Sequence, residues 1–171
     1  GAGLDALGYD VGRYTQPRPE SMRQSKTIIC WGTNPAWTAI HQMDTIHQAR
    51  DMGAKLIVID PVYTATATQA DRYIQLRPGT DGALALVIAH YLCQAGLIDR
   101  DYSDSHVEGW PAFHRYLTDL DIEALWETTG VDRHVVQELA EELASHRHVA
   151  IWLGFGLQRH TNGGQNIRTI T

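Results

Sequence analysis

The sequence predicts an α/β protein, a doubly wound and mostly parallel sheet with helices on both faces. Short apolar runs recur at Thr27–Trp31, Leu56–Ile59, Tyr73–Leu76 and His148–Leu153. Uninterrupted Val/Ile/Leu-type runs of this length suit strands covered on both faces. Longer amphipathic stretches separate them, so strand alternates with helix, which calls for right-handed crossovers between parallel strands. At 171 residues, with 43% hydrophobic and 20% charged residues, the chain can bury one sizeable core.

In chain order, residues 1–25 ("GAGLDALGYDVGRYTQPRPESMRQS") are rich in Gly, Pro and polar residues without a sustained period. They read as an irregular leader, with a Rossmann-like domain over 26–171 that is truncated at both ends. After the first strand, Pro35–Met52 reads as one helix with Ala36, Ile40, Met43 and Ile46/His47 on one side, and Gly53 as its stop. Asp81–Gln94 is a helix apolar almost all round (Leu84, Val87, Ile88, Tyr91, Leu92), hence well buried. Short helices follow around Asp101–His106, Pro111–Thr118 and Ile122–Thr128. Val131–Ser145 is then clearly amphipathic, with Val135, Val136, Leu139 and Leu143 on one face. The closing "GQNIRTIT" reads as two turns of a helix with Ile167 and Ile170 on its apolar side.

Charge and cysteine usage narrow the function. A net charge of −6 argues against a nucleic-acid binder or a membrane-surface module. An anionic ligand remains compatible, because backbone N–H groups and helix N-termini hold phosphates. No apolar run approaches the ~20 residues of a membrane span. Cys30 and Cys93 sit singly inside apolar runs and read as free, buried thiols; neither belongs to a CxxC pair. His41 and His47 are six apart on one helix, and His146 and His148 flank Arg147, so neither pair has good metal spacing. No metal site is expected from this chain alone.

In open parallel sheets ligands gather beyond the carboxyl ends of the strands, so the residues there matter most. After the first strand come Gly32, Thr33, Asn34 and Pro35. They read either as a well-made helix start or as a backbone nest for a phosphate or ring. After the second come Asp60 and Pro61, with Thr64 nearby; the acid either caps the next turn or accepts from ribose hydroxyls. After the third come Gly79, Thr80 and Asp81. Thr80 or Asp81 could simply cap the apolar helix, but a carboxylate there is also placed to accept from guanine, which offers two adjacent N–H donors. After the fourth, "GFGLQRHTNGG" supplies Gly154 and Gly156 for close backbone approach, and Arg159 and His160 as donors for phosphate or an oxidised substrate.

Taken together, "IICWGTNP", "GAKLIVIDPVYTATATQAD", "LRPGTDGALAL", "TTGVDRHVVQELAEELA" and "GFGLQRHTNGG" resemble, in order and spacing, the dimethyl sulfoxide reductase family of molybdopterin oxidoreductases. The match runs from about Ser25 to Thr171. The resemblance implies a bis(molybdopterin guanine dinucleotide) cofactor, bis-MGD, carrying molybdenum or tungsten, with this region holding the nucleotide end of one dinucleotide. It implies that Gly32, Thr33 and Asn34 lie against the pyrophosphate or pterin. Asp60 and Pro61 would hold the nucleoside, with Thr64 beside them; Gly79 and Asp81 would read guanine, and Gly154, Gly156 and Arg159 would close over the cofactor. It further implies a small-molecule substrate, a 4Fe-4S cluster in the full-length protein but not in this chain, and an electron-transfer iron–sulfur subunit as partner. No residue here is expected to be catalytic by itself. No signal pattern is visible, and the compartment, bacterial or archaeal cytoplasm or periplasm, stays open. Two positions depart from the family pattern: Val62 stands where a basic residue often follows Asp-Pro, and Trp37 where a small or acidic residue often stands. The competing readings are a structural subunit that kept the fold without the cofactor, and a divergent NAD or FAD domain. Against the last, no GxGxxG follows the first strand.

Overall fold

The computed structural model describes residues 1–12, 17–146 and 148–171. Its sheet contains β1 (Thr27–Trp31), β2 (Lys55–Ile59), β3 (Arg72–Ile74) and β4 (Val149–Leu153), in the order β3-β2-β1-β4. All three pairings are parallel. The chain steps outward from β1 to β3, then returns on the other side of β1 to lay down β4. The carboxyl ends of β1 and β4 therefore form a topological switch point.

The helices are α1 (Ala2–Val11), α2 (Pro35–Thr38), α3 (Ile40–Asp51), α4 (Asp81–Gln94), α5 (Arg100–His106), α6 (Trp110–Asp119), α7 (Ile122–Thr129), α8 (Arg133–Ser145) and α9 (Gly163–Ile170). Strand alternation distributes them over two faces. Ile28, Cys30, Leu56 and Val58 point to one face, where Met43, Ile46 and Ala49 of α3 cover them. Ile29, Trp31, Ile57 and Ile59 point to the other, under Leu84, Val87 and Ile88 of α4 and Val136, Leu139 and Ala140 of α8. Burial of this kind on both faces is why the strand sequences carry no polar alternation. It also pushes the Cys30 thiol up to about 12, whereas Cys93 is only half-buried.

Three expectations need correction. The leader is not wholly irregular: residues 2–11 form α1, which packs on α9, and residues 19–24 form a 3-10 turn. Residues 13–16 lie outside the described residues, as does Arg147 between His146 and His148. The helix expected over Pro35–Met52 is broken at Ala39, whose non-helical backbone (φ −154°, ψ 58°) resets the helical phase. Ile40 is consequently 69% exposed, and the buried stripe is Met43, Ile46 and Ala49. Finally, β3 begins and ends earlier than expected; Gln75 and Leu76 leave the ladder, although Leu76 remains buried.

The two edges of the sheet differ. β3 is three residues long, and Arg72 at its start pairs with Glu138 of α8. β4 is longer, wholly apolar and half-exposed, with Ile151 41% accessible.

At the amino ends of the strands, Glu142 of α8 accepts from Thr27 Oγ1 at 2.8 Å and Lys55 Nζ at 2.6 Å, tying β1 and β2 to one helix. Burial by itself raises the Glu142 carboxyl. The bonds from Lys55 and Thr27, with the charges of Lys55 and His146, outweigh it and hold the group below its ordinary value of 4.5. A depressed folded value contributes stability that is complete above the ordinary value and lost as pH falls through the folded one. Glu142→Gln should therefore remove part of the acid sensitivity below about pH 4.5. Urea midpoints measured against pH check this; parallel curves for the two proteins would refute it.

Candidate functional site

Beyond the strands, the ladder extends by one residue at the carboxyl ends of β1, β2 and β4. Gly32 N–H donates to Ile59 O at 2.9 Å, Asp60 N–H to Ile74 O at 3.2 Å, and Gly154 N–H to Trp31 O at 2.8 Å. Gly32, Asp60 and Gly154 are thus aligned on one rim, each held by a neighbouring strand.

At the switch point the two glycine-containing turns meet each other. A Cβ on Gly154 would lie 1.9 Å from Gly32 O and 2.6 Å from Thr33 Cβ, and one on Gly156 would lie 3.0 Å from Gly32 O. The close approach read from the sequence is therefore made, in this structure, by the turn after β1. Gly32 itself has φ 62° and rests over buried Leu157, so it needs both a left-handed backbone and a missing side chain.

Asn34 precedes α2 but does not cap it. Its Oδ1 accepts from Thr66 N–H at 3.2 Å and Thr66 Oγ1 at 2.7 Å, while Thr66 Oγ1 accepts from Ala36 N–H at 3.1 Å. One buried hydroxyl so fastens the loop after β1 to the loop after β2. Thr64 acts locally, accepting from Ala67 N–H at 3.2 Å to open a 3-10 turn over Ala67–Gln69.

The two acids lie near each other at this rim, close enough for the charge of Asp81 to act on Asp60. Asp60 Oδ1 accepts from Val62 N–H at 2.8 Å across Pro61, an Asx turn. Burial raises the Asp60 carboxyl, the Val62 N–H opposes that, and the negative charge of Asp81 raises it further. Asp81, the first residue of α4, is 5% exposed and accepts from Trp31 Nε1 at 2.8 Å. Thr80 provides no side-chain cap for that helix; its hydroxyl donates to Arg77 O. Gly79 turns the chain with φ 80° against the ring of His160, 3.4 Å from where its Cβ would be. Tyr73 and Tyr63 meet edge to face beside Asp60, with Tyr73 OH donating to Asp60 O at 2.9 Å.

The fold brings Gly32, Asp60, Asp81, Gly154 and Gly156 to one rim. Arg159 stands exposed beyond it, with no side-chain partner among the described residues. Sequence reasoning missed Trp31, Thr66 and Asn166. Asn166 of α9 is buried against Gly82 of α4, and among the described residues its Nδ2 is the one buried side-chain polar atom lacking a hydrogen bond. "WGTNP" could have suggested Trp31, since a tryptophan ending a buried strand must find an acceptor for its N–H. Nothing marked Thr66 within "TATAT". Two open clefts lie elsewhere. One of about 360 Å³ is lined by His47, Arg50 and Asp71, and one of about 390 Å³ by Trp110, His114, Arg100 and Arg115. Neither reaches the strand ends.

Two outcomes follow from this geometry. Gly154→Ala drives a methyl group into backbone and should cost at least the ~1–3 kcal/mol of an overpacked core site; an unchanged urea midpoint would contradict the contact. The raised Asp60 value means that ionised Asp60 opposes folding, a penalty that grows as pH rises through the folded value. Asn can still accept from Val62 N–H. Cofactor-free Asp60→Asn should therefore match or exceed the parent in thermal midpoint at neutral pH. The difference should close below the ordinary carboxyl value of 3.8. A variant less stable at neutral pH would refute the reading.

Residues 6–171 match the family model for molybdopterin oxidoreductase. Among curated proteins, the chain is 33% identical to a probable oxidoreductase, YyaE, of Bacillus subtilis over 99% of its own length and 25% of that protein's. It is 30% identical to the dimethyl sulfoxide reductase DmsA of Escherichia coli, over 98% of the chain and 24% of that protein. Acetylene hydratase from Pelobacter acetylenicus shares the fold, with a TM-score of 0.75 at 22% identity over 96% of this chain and 24% of that one. The chain thus spans about a quarter of the length of these relatives. It belongs to the molybdopterin oxidoreductase family, whose cofactor is a pterin carrying molybdenum or tungsten.

Proposed function

We propose that this chain is the part of a molybdenum or tungsten oxidoreductase that holds the guanine-nucleotide end of a bis(molybdopterin guanine dinucleotide) cofactor. The observation that carries the reading is the pair Asp60 and Asp81: Asp60 directly follows β2, while Asp81 opens α4, is held by Trp31 at the end of the neighbouring β1, and lies near enough for its charge to act on Asp60. Helix capping gives a reason for either acid alone but none for their shared location. A ligand rich in N–H and O–H donors gives a reason for both.

The side chains present fit such a group. Asp60 accepts from ribose hydroxyls, as acids at this position of dinucleotide folds do. Asp81 accepts from the guanine N–H edge. Gly79 bends the chain so that backbone can approach the base, and Gly32, Thr33 and Asn34 offer a turn beside the pyrophosphate. Arg159, exposed and unengaged among the described residues, supplies the positive charge that Val62 does not. When bound, the cofactor supplies a metal centre for transfer of an oxygen atom, or of a proton and two electrons. This chain's residues bind and orient it and add no metal ligand. The substrate is a small molecule selected by other segments. A 4Fe-4S cluster and an iron–sulfur partner subunit carry electrons in the whole enzyme. Among the described residues no helix is long and apolar enough to cross a membrane.

The full-length protein, produced with cofactor synthesis intact, should contain molybdenum or tungsten, and Asp81→Asn should lower its guanine nucleotide content on the order of tenfold. Absence of both metals from the unaltered protein would defeat the oxidoreductase reading. Unchanged nucleotide content in the variant would defeat the guanine assignment.

A further inference from the structure

The geometry points to Trp31 as the positioning residue for nucleobase recognition, acting through Asp81. This rests on the guanine assignment proposed above. Trp31 ends β1, is 3% exposed, and belongs to the core cluster that includes Leu84 and Leu157. Its ring is thereby fixed by packing on a central strand. Its indole carries one donor and no acceptor, so the 2.8 Å contact has only one sense: Trp31 donates and Asp81 Oδ1 accepts.

Asp81 needs such a partner. As the first residue of α4 it stands beside N–H groups that have no partner within the helix, and an acidic side chain there is drawn towards them. A carboxylate folded onto its own helix has less capacity left for a ligand. The indole draws the carboxylate away from that arrangement and across to the end of β1, fifty residues earlier in the chain. Oδ1 is then engaged at one lone pair, and among the described residues no hydrogen bond reaches Oδ2. Recognition groups held by a rigid second partner bind without first having to be ordered. The sheet so passes its own rigidity to the acid that reads the base, through one hydrogen bond.

The arrangement also explains why the first strand ends in an aromatic residue with an N–H. A phenylalanine would fill part of the same core space and leave the carboxylate unheld. Hydrogen bonds to charged groups are strong enough that losing one should weaken nucleotide retention on the order of tenfold to a hundredfold.

The test uses the full-length enzyme made with cofactor synthesis intact. Guanine nucleotide released on denaturation is measured per chain for the parent, Trp31→Phe, Asp81→Asn and the double variant. Cofactor-free thermal midpoints are recorded alongside. The expected result is a similar fall in both single variants and no further fall in the double variant, since both remove one recognition device. A Trp31→Phe protein that keeps its nucleotide while Asp81→Asn loses it would overturn the role of Trp31 and leave the guanine assignment standing. Independent, multiplying losses would also overturn it, because Trp31 would then act through packing. Retention in Asp81→Asn would remove the guanine assignment and this inference together. Should Trp31→Phe not fold, benzothienylalanine at position 31 replaces the N–H with sulfur at nearly constant shape. Full nucleotide content in that protein would refute the role, and loss would support it.

Discussion

The site depends on a hydrogen-bond ladder that does not stop where the strands do. At β1, β2 and β4 the first residue past the strand donates to the last carbonyl of a neighbouring strand. This brings Gly32, Asp60 and Gly154 into line, although they come from distant parts of the sequence. Loops in general sample many conformations, and freezing them costs conformational entropy. Here the first step of each loop is fixed by the sheet, so the ordering cost falls on folding and not on ligand binding. The glycine contact at the switch point adds a steric lock, since no larger residue fits at Gly154.

Past that first step, polar groups hold the loops together, and they do so in two different ways. Asn34 Oδ1 and Thr66 bond to each other, and Thr66 Oγ1 accepts from the backbone of α2, which links the two loops. Asp60 and Asp81 are the opposite case: two like charges lie near each other, and after burial the charge of Asp81 adds to the cost of ionising Asp60. The protein satisfies each with a single neutral donor, Val62 N–H and Trp31 Nε1. Neutral donors leave the pair's negative potential in place, which favours a ligand edge made of N–H and O–H groups.

The fold class could be read directly from residues because strands buried on both faces leave a plain signal, an unbroken apolar run. Boundaries were harder where backbone dihedrals outvoted periodicity. Ala39 breaks a helix that its neighbours' spacing would have continued, and α1 is a helix whose Gly-rich sequence gave little sign of it. The position of Asp60 was legible for a similar reason, since a charged residue directly after a buried run must lie at a strand end, whereas Asp81 was legible as the acid that opens an apolar helix. The partners of the acids were not, because Trp31 meets Asp81 and Asn34 meets Thr66 only after the crossovers are in place. A polar contact across thirty or fifty residues has no local signature. Gly154 shows a further limit. The need for glycine was visible, but a ligand and a second backbone turn demand the same small residue.

The unlike edges of the sheet carry a colloidal consequence. Lys26 N–H bonds to His148 O and Gly154 N–H to Trp31 O, so even-numbered residues of β4 face β1. The N–H and C=O groups of Val149, Ile151 and Leu153 therefore face outward in a run without lysine, proline or a bulge. Natural proteins blunt such edges, as Arg72 does at β3, because an open apolar edge templates pairing with other chains. Where that edge stays uncovered, the tendency to self-associate rests on a single strand, set apart from the buried core and from the overall negative charge.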